Sequence, residues 1–139
     1  MQPIQIKDYM NRRPVTFRAN ETIFEAIEKL LASNLTGGPV IDERKRLVGF
    51  LSEQDCLAKG LEASYHCEQV AMVEDLMRRD VLTCRPQDSV LELAQYMLQQ
   101  KPKIYPVVDD EGALCGIIHR RDVLRAIEVQ MRSSAKAAV

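Results

Sequence analysis

The chain has 139 residues, 46% of them hydrophobic and 28% charged, with a formal net charge of -1. That length suits one domain or two small units sharing a core. The near-neutral charge gives no global attraction to nucleic acid or an anionic membrane, and no apolar run approaches the ~18 residues of a membrane span.

The N-terminus has no apolar stretch of the signal-peptide kind. The four cysteines, Cys56, Cys67, Cys84 and Cys115, are widely spaced and form no C-x-x-C. Neither a zinc site nor a redox pair is indicated, and a reduced, cytoplasmic setting is expected. His66-Cys67 is the one adjacent pair of soft ligands, too few for a structural metal.

In chain order, "PVTFR" (14–18) is β-rich and predicts a short strand. "ETIFEAIEKLLASN" follows with helical periodicity, and Thr22 with Glu25 forms a capping box at its start. "GPVID" predicts a strand entered through proline, and "ERKR" a polar turn. "LVGFLS" predicts the second strand of a hairpin, and "EQDCLAKG" a helix. Residues 59–72 connect to a second series and are read as partly helical. "VLTCR" predicts a strand, "DSVLELAQYMLQQK" a helix boxed by Ser89 and Glu92, "YPVVD" a strand and "DEGA" a turn. "LCGIIH" predicts another strand and "RRDVLRAIEVQM" a helix. The tail "RSSAKAAV" is expected to fray.

The second series is the first repeated. Residues 6–58 align with 73–125 without a gap, and 14 of the 53 positions are identical. Chance would supply about three, so one β-α-β-β-α unit is used twice. The identities include Met10/Met77, Arg12/Arg79, Pro39/Pro106, Asp42/Asp109, Gly49/Gly116 and Asp55/Asp122. A unit of this size buries too little surface to stand comfortably alone. The expected fold class is therefore α+β, with two units related by pseudo-twofold symmetry and packed sheet to sheet. Clefts at such a repeat interface suit a small ligand.

The stretch "GFLSEQD" carries the chemistry. Ser52 ends a strand and sits at a helix N-cap, where its hydroxyl and the Asp55 carboxylate can satisfy each other's amides. The same helix start is also an anion site, and a carboxylate one turn on can accept from a ribose diol. The second unit reads "GIIHRRD": Asp122 recurs without the hydroxyl, and His119 replaces it. His119, Arg120 and Arg121 either edge a polyphosphate site or mark a site that has lost its ligand. Tyr105 is read as a purine stack or a half-buried edge residue. Gly37 and Gly38 are read as a close approach for a base or as helix termination after Asn34. The basic clusters Arg12-Arg13, Arg44-Lys45-Arg46, Arg78-Arg79 and Arg120-Arg121 read as solvated surface.

The doubled unit, the "PV-[IV]-D" strands and the "G-h-h-S-x-x-D" ending (h apolar) resemble a tandem pair of CBS domains, a Bateman module. The strongest carriers are "GGPVIDERKRLVGFLSEQD" and "IYPVVDDEGALCGIIHRRD". The resemblance implies one unit at 6–58, a connector at 59–72, a second unit at 73–127 and a tail at 128–139. It implies a stand-alone regulatory module rather than an enzyme. Its ligand would be an adenosine compound such as AMP, ADP, ATP, S-adenosylmethionine or NAD, with or without Mg²⁺. One cleft would take Phe50, Ser52 and Asp55, facing Leu82, Thr83, Lys103, Ile104 and Tyr105. The other would take Ile117, His119, Arg120 and Asp122, facing Val15, Thr16, Thr36, Gly37 and Gly38. The expected partners are the nucleotide, a second copy of the chain with Leu57 and Leu124 leading the exposed faces, and a protein that receives the signal. The alternative is a nucleic-acid or protein interaction module using the basic clusters. The balanced charge argues against the nucleic acid, and no Ser/His/Asp set, HExxH or P-loop points to catalysis.

Overall fold

The computed structural model describes residues 4–66, 71–99 and 102–137. In order, its elements are a 3-10 turn Ile6–Asp8, α1 Ile23–Ser33, β1 Gly37–Ile41, β2 Leu47–Ser52 and α2 Glu53–His66. They continue with α3 Val73–Leu76, α4 Val90–Gln99, β3 Ile104–Val108, β4 Leu114–His119 and α5 Arg120–Ala137. Two β-β-α sets repeat in a mixed α+β chain.

Local chemistry sets these boundaries. The Glu25 amide donates to Thr22 Oγ1 at 3.1 Å, which starts α1 at Ile23. Asn34 ends α1 in the left-handed region, φ 58°, a conformation asparagine adopts readily. β1 and β2 pair antiparallel, with Gly37 opposite Ser52 and Pro39 opposite Phe50. Between them the Asp42 carboxylate accepts the Arg44 and Arg46 amides at 2.8 and 2.9 Å, holding the turn. Those backbone bonds, Arg46's first, lower the Asp42 pKa.

The strands expected at 14–18 and 81–85 shrink to single parallel bridges, Phe17 to Val40 and Cys84 to Val107. The chain turns away directly after each bridge. Arg18 N donates to the Glu21 carboxylate at 2.6 Å and Arg85 N to the Asp88 carboxylate at 2.9 Å, each closing a turn. In the second case the next ladder donor would be residue 86, a proline without an N–H.

α2 continues into the connector as far as His66, in keeping with a partly helical connector, and α5 runs longer than expected, through "RSSAKA" to Ala137 instead of fraying. Alanine and lysine favour that extension, and Arg132 pairs with Glu128 at 2.7 Å one turn apart. Cys67, with residues 68–70, lies outside the described residues, and with it the His66-Cys67 pair.

The compact units do not follow the sequence repeats. One consists of Met1–Arg12, Leu82–Asp110 and Cys115–Val139, the other of Arg13–Val81 with Glu111–Leu114. We call them the Asp122 unit and the Asp55 unit. Each repeat therefore lends its opening segment to the other. Val90 N donates to Ile4 O at 2.9 Å in the Asp122 unit, and Ile23 N to Ala71 O at 2.9 Å in the Asp55 unit. The Asp122 unit has a core of Ile6, Cys84, Val90, Leu93, Tyr105, Val107, Ile118, Val123 and Ala126. The Asp55 unit has Phe17, Ile23, Ala26, Leu30, Val40, Leu51, Cys56, Val73 and Met77.

The exchange explains a repeated arginine. Arg12 donates to the Lys7 carbonyl at 3.1 Å and Arg79 to the Glu74 carbonyl at 3.2 Å. One arginine of each of these two pairs thus bonds a carbonyl of a short helical turn, and all four arginines remain exposed, as surface charge is expected to be.

Candidate functional site

In the Asp55 unit, β2 delivers Phe50 and Ser52, and the first turn of α2 delivers Asp55. Asp55 Oδ2 accepts the Ser52 hydroxyl at 2.8 Å and the Ser52 amide at 3.2 Å. The Asp55 amide in turn donates to Ser52 Oγ at 3.1 Å. The reciprocal cap expected from the sequence is present, and it leaves Asp55 Oδ1 outside the cap. Glu53 N donates to the Thr36 carbonyl at 2.8 Å. Two of the first three amides of α2 are thus already bonded. Side chains, rather than a bare helix end, are left to meet an anion.

A cation stands there that the sequence reading passed over as surface. Arg78 exchanges two backbone hydrogen bonds with Phe50, each 2.9 Å. Its Nε lies 3.9 Å from Asp55 Oδ2, and its side chain is 65% exposed. Gly49 makes this approach possible. A Cβ there would meet Met77 Sδ at 2.7 Å and the Arg78 carbonyl at 2.9 Å.

The Asp122 unit repeats the frame with different chemistry. Asp122 Oδ2 accepts the His119 amide at 2.8 Å and lies 3.4 Å from His119 Nδ1. Its Oδ1 lies 3.4 Å from Arg125. Arg120 N donates to the Lys103 carbonyl at 2.9 Å, matching Glu53 and Thr36. Asn11 occupies the place of Arg78. It exchanges backbone bonds of 2.7 and 2.9 Å with Ile117. A Cβ on Gly116 would meet the Asn11 carbonyl at 2.5 Å. The side chain of Arg120 is exposed.

The other expected residues divide between the same two units. Val15, Thr16, Thr36, Gly37 and Gly38 belong to the Asp55 unit; Leu82, Thr83, Lys103, Ile104 and Tyr105 belong to the Asp122 unit. Leu82, Thr83 and Tyr105 line one pocket of about 270 Å³ with Asp88, Ser89, Glu92 and Tyr96. Two expectations change. Tyr105 is neither a half-buried edge residue nor an open ring for a purine. It is 1% exposed and packs in the core, and burial raises its phenol pKa. Gly37 and Gly38 do not end α1, since Asn34 does; both lie inside β1. The approach they permit is the chain's own. A Cβ on Gly38 would meet the Val15 carbonyl at 2.5 Å, and one on Gly37 would meet the Phe50 ring at 2.9 Å.

Among the described residues, no three His, Cys, Asp or Glu side chains converge as a metal site. No described helix is long and apolar enough to cross a membrane.

The family model for the CBS domain matches twice, at residues 6–62 and 73–129. The chain belongs to the CBS domain family, as a tandem pair. Its fold is similar to that of CBSX2 from Arabidopsis thaliana. The CBSX2 structure in complex with AMP has a TM-score of 0.80 and 32% identity, covering 92% of this chain and 98% of that one. The CBS domain pair of protein MJ0100, in complex with 5'-methylthioadenosine and S-adenosyl-L-methionine, has a TM-score of 0.76 and 27% identity over 93% of this chain and 99% of that one. The L-aspartate semialdehyde sulfurtransferase of Methanocaldococcus jannaschii is 31% identical over 120 residues, which is 86% of this chain but 22% of the enzyme. For two further relatives from that organism, an uncharacterized protein and inosine-5'-monophosphate dehydrogenase, the chain spans 42% and 21% of their length. In such enzymes the CBS pair corresponds to a small part of the whole.

Proposed function

We propose that this CBS pair is a regulatory module that binds adenosine-containing ligands and passes the bound state to a partner. One observation carries the reading. Both units place an aspartate at the same point, with one oxygen committed to capping the helix start. Asp55 then presents Oδ1 as an acceptor for a ribose diol, beside the half-buried Ser52 hydroxyl and a cation. The AMP bound by CBSX2 and the methylthioadenosine and S-adenosylmethionine bound by the MJ0100 pair support adenosine as the shared element.

In this reading Ser52, Asp55 and Asp122 hold the ribose and its substituents. Phe50, Leu82, Thr83, Val15 and Thr16 supply apolar and hydroxyl contacts to the base. Lys103 and Arg120 supply charge for phosphates, with or without Mg²⁺. The ligand changes the module by differential affinity for two conformations, which a protein partner then senses. Catalysis has no part in it. A second copy of the chain is the proposed assembly partner. Leu57 and Leu124 are 73% and 65% exposed, and Leu31, Leu57 and Leu61 line an apolar groove of about 490 Å³ suited to a helix of that copy. The proposed setting is the cytoplasm.

A thermal-shift series tests the reading. Any compound that binds the folded state raises Tm by mass action. AMP, ADP, ATP and S-adenosylmethionine are each titrated to millimolar levels, with guanosine monophosphate for contrast. A concentration-dependent rise confined to adenosine compounds is expected. No rise with any of them, or an equal rise with the guanine nucleotide, contradicts the reading.

A further inference from the structure

The two aspartate centres differ in a way that sorts their ligands, an inference that rests on the adenosine reading above. In the Asp55 unit, a guanidinium held by a separate segment stands beside the cap, and the carboxylate's Oδ1 lies outside it. In the Asp122 unit, the equivalent segment carries uncharged Asn11. The nearby cation, Arg125, instead lies 3.4 Å from Oδ1 itself. That is the oxygen a ribose diol would need.

The geometry points to Arg78 as the residue that reads a phosphate on the ligand, making the Asp55 centre selective for phosphorylated adenosine. Three features fit this role. The backbone of Arg78 is fixed by two bonds to Phe50, so its side chain starts from a defined point beside β2. Its contact with Asp55 is long, 3.9 Å, and 65% of its side chain is exposed, so the guanidinium is anchored by charge but not used up by it. The nearest carboxylate is the one that would hold the ribose, and an exposed arginine side chain beside it is long enough to extend toward a phosphate carried by the same sugar. A planar guanidinium with donors to spare can pair bidentately with phosphate oxygens. A ligand lacking the phosphate, such as 5'-methylthioadenosine, gains nothing from this group.

Calorimetric titrations with AMP and with 5'-methylthioadenosine, on wild type, Arg78→Ala and Arg78→Lys, test the assignment at low and high salt. Arg78→Ala keeps the backbone bonds to Phe50, so the fold is retained. The expected result is a loss of about tenfold in AMP affinity for Arg78→Ala. The change for 5'-methylthioadenosine should be below about twofold, and Arg78→Lys should recover part of the AMP affinity with the steeper salt dependence. Equal losses for both ligands, or no loss for AMP, overturn the role of Arg78 and leave the adenosine reading standing. Failure of wild type to bind either ligand overturns both.

Discussion

The side chain of Asp55 closes on Ser52 from two directions: its Oδ2 accepts the Ser52 hydroxyl at 2.8 Å and the Ser52 amide at 3.2 Å. These atoms stabilise the helix start and also form the proposed ligand centre, so the two roles separate only when stability and binding are measured together. Ser52→Ala is expected to lower stability by about 1 kcal/mol, the usual worth of such a cap. Chemical denaturation with an unchanged m-value checks it. A loss near zero would mean that the hydroxyl does not cap.

His119→Ser restores in the Asp122 unit the hydroxyl that the Asp55 unit has. The acceptor is in place, because Asp122 Oδ2 already takes the residue-119 amide at 2.8 Å. The variant is expected to gain up to about 1 kcal/mol and to raise Tm. A fall in Tm would show that the imidazole contact at 3.4 Å contributes more than a cap.

Gly116→Ala should be among the most damaging small substitutions. Its Cβ would lie 2.5 Å from the backbone carbonyl of Asn11, which cannot swing aside. A cost of about 1–3 kcal/mol is expected from overpacking. At Gly112 nothing lies within 4 Å, but φ is +82°. Alanine there meets backbone strain of about 1–2 kcal/mol with no clash. Parallel urea melts of the two variants compare the mechanisms, and equal native stability in Gly116→Ala would contradict the close packing.

Cys56 and Cys84 are expected to resist alkylation in the native protein. Burial pushes their thiols up to about 11 and about 12, so neither forms the reactive thiolate near neutral pH. Because the folded-state values lie above the unfolded ones, the folded state keeps these protons longer. Stability is full below the ordinary thiol range of about 9 and falls as pH rises from there toward 11–12. Mass spectrometry after iodoacetamide treatment at pH 8 should show both unlabelled until denaturant is added. Rapid native labelling of either one would contradict the burial.

The repeat, the hairpins and the capping pairs were legible in the sequence because their partners lie within a few residues. Thr22 with Glu25 and Ser52 with Asp55 are examples. The extent of the first strands was not. Each ladder stops where the chain turns, with the Arg18 or Arg85 amide bonded to a carboxylate three residues on, and β-rich composition does not reveal where that turn begins. The segment exchange was hidden for a different reason. Gly49, Gly116, Met10 and Met77 stood out as identities, but the backbone that each glycine admits comes from the other repeat. Arg78 therefore looked like solvated charge, while in the fold it stands beside Asp55. Tyr105 misled in the opposite sense: an aromatic before "PVV" looked available for stacking, and tertiary packing placed it in the core.

The most direct test of the central claim is an isothermal titration of AMP into wild type, Asp55→Ala and Asp122→Ala. Saturable binding to wild type is expected, weakened at least about tenfold in Asp55→Ala. Binding that is equally strong in all three proteins, or absent in wild type at millimolar AMP, would contradict it.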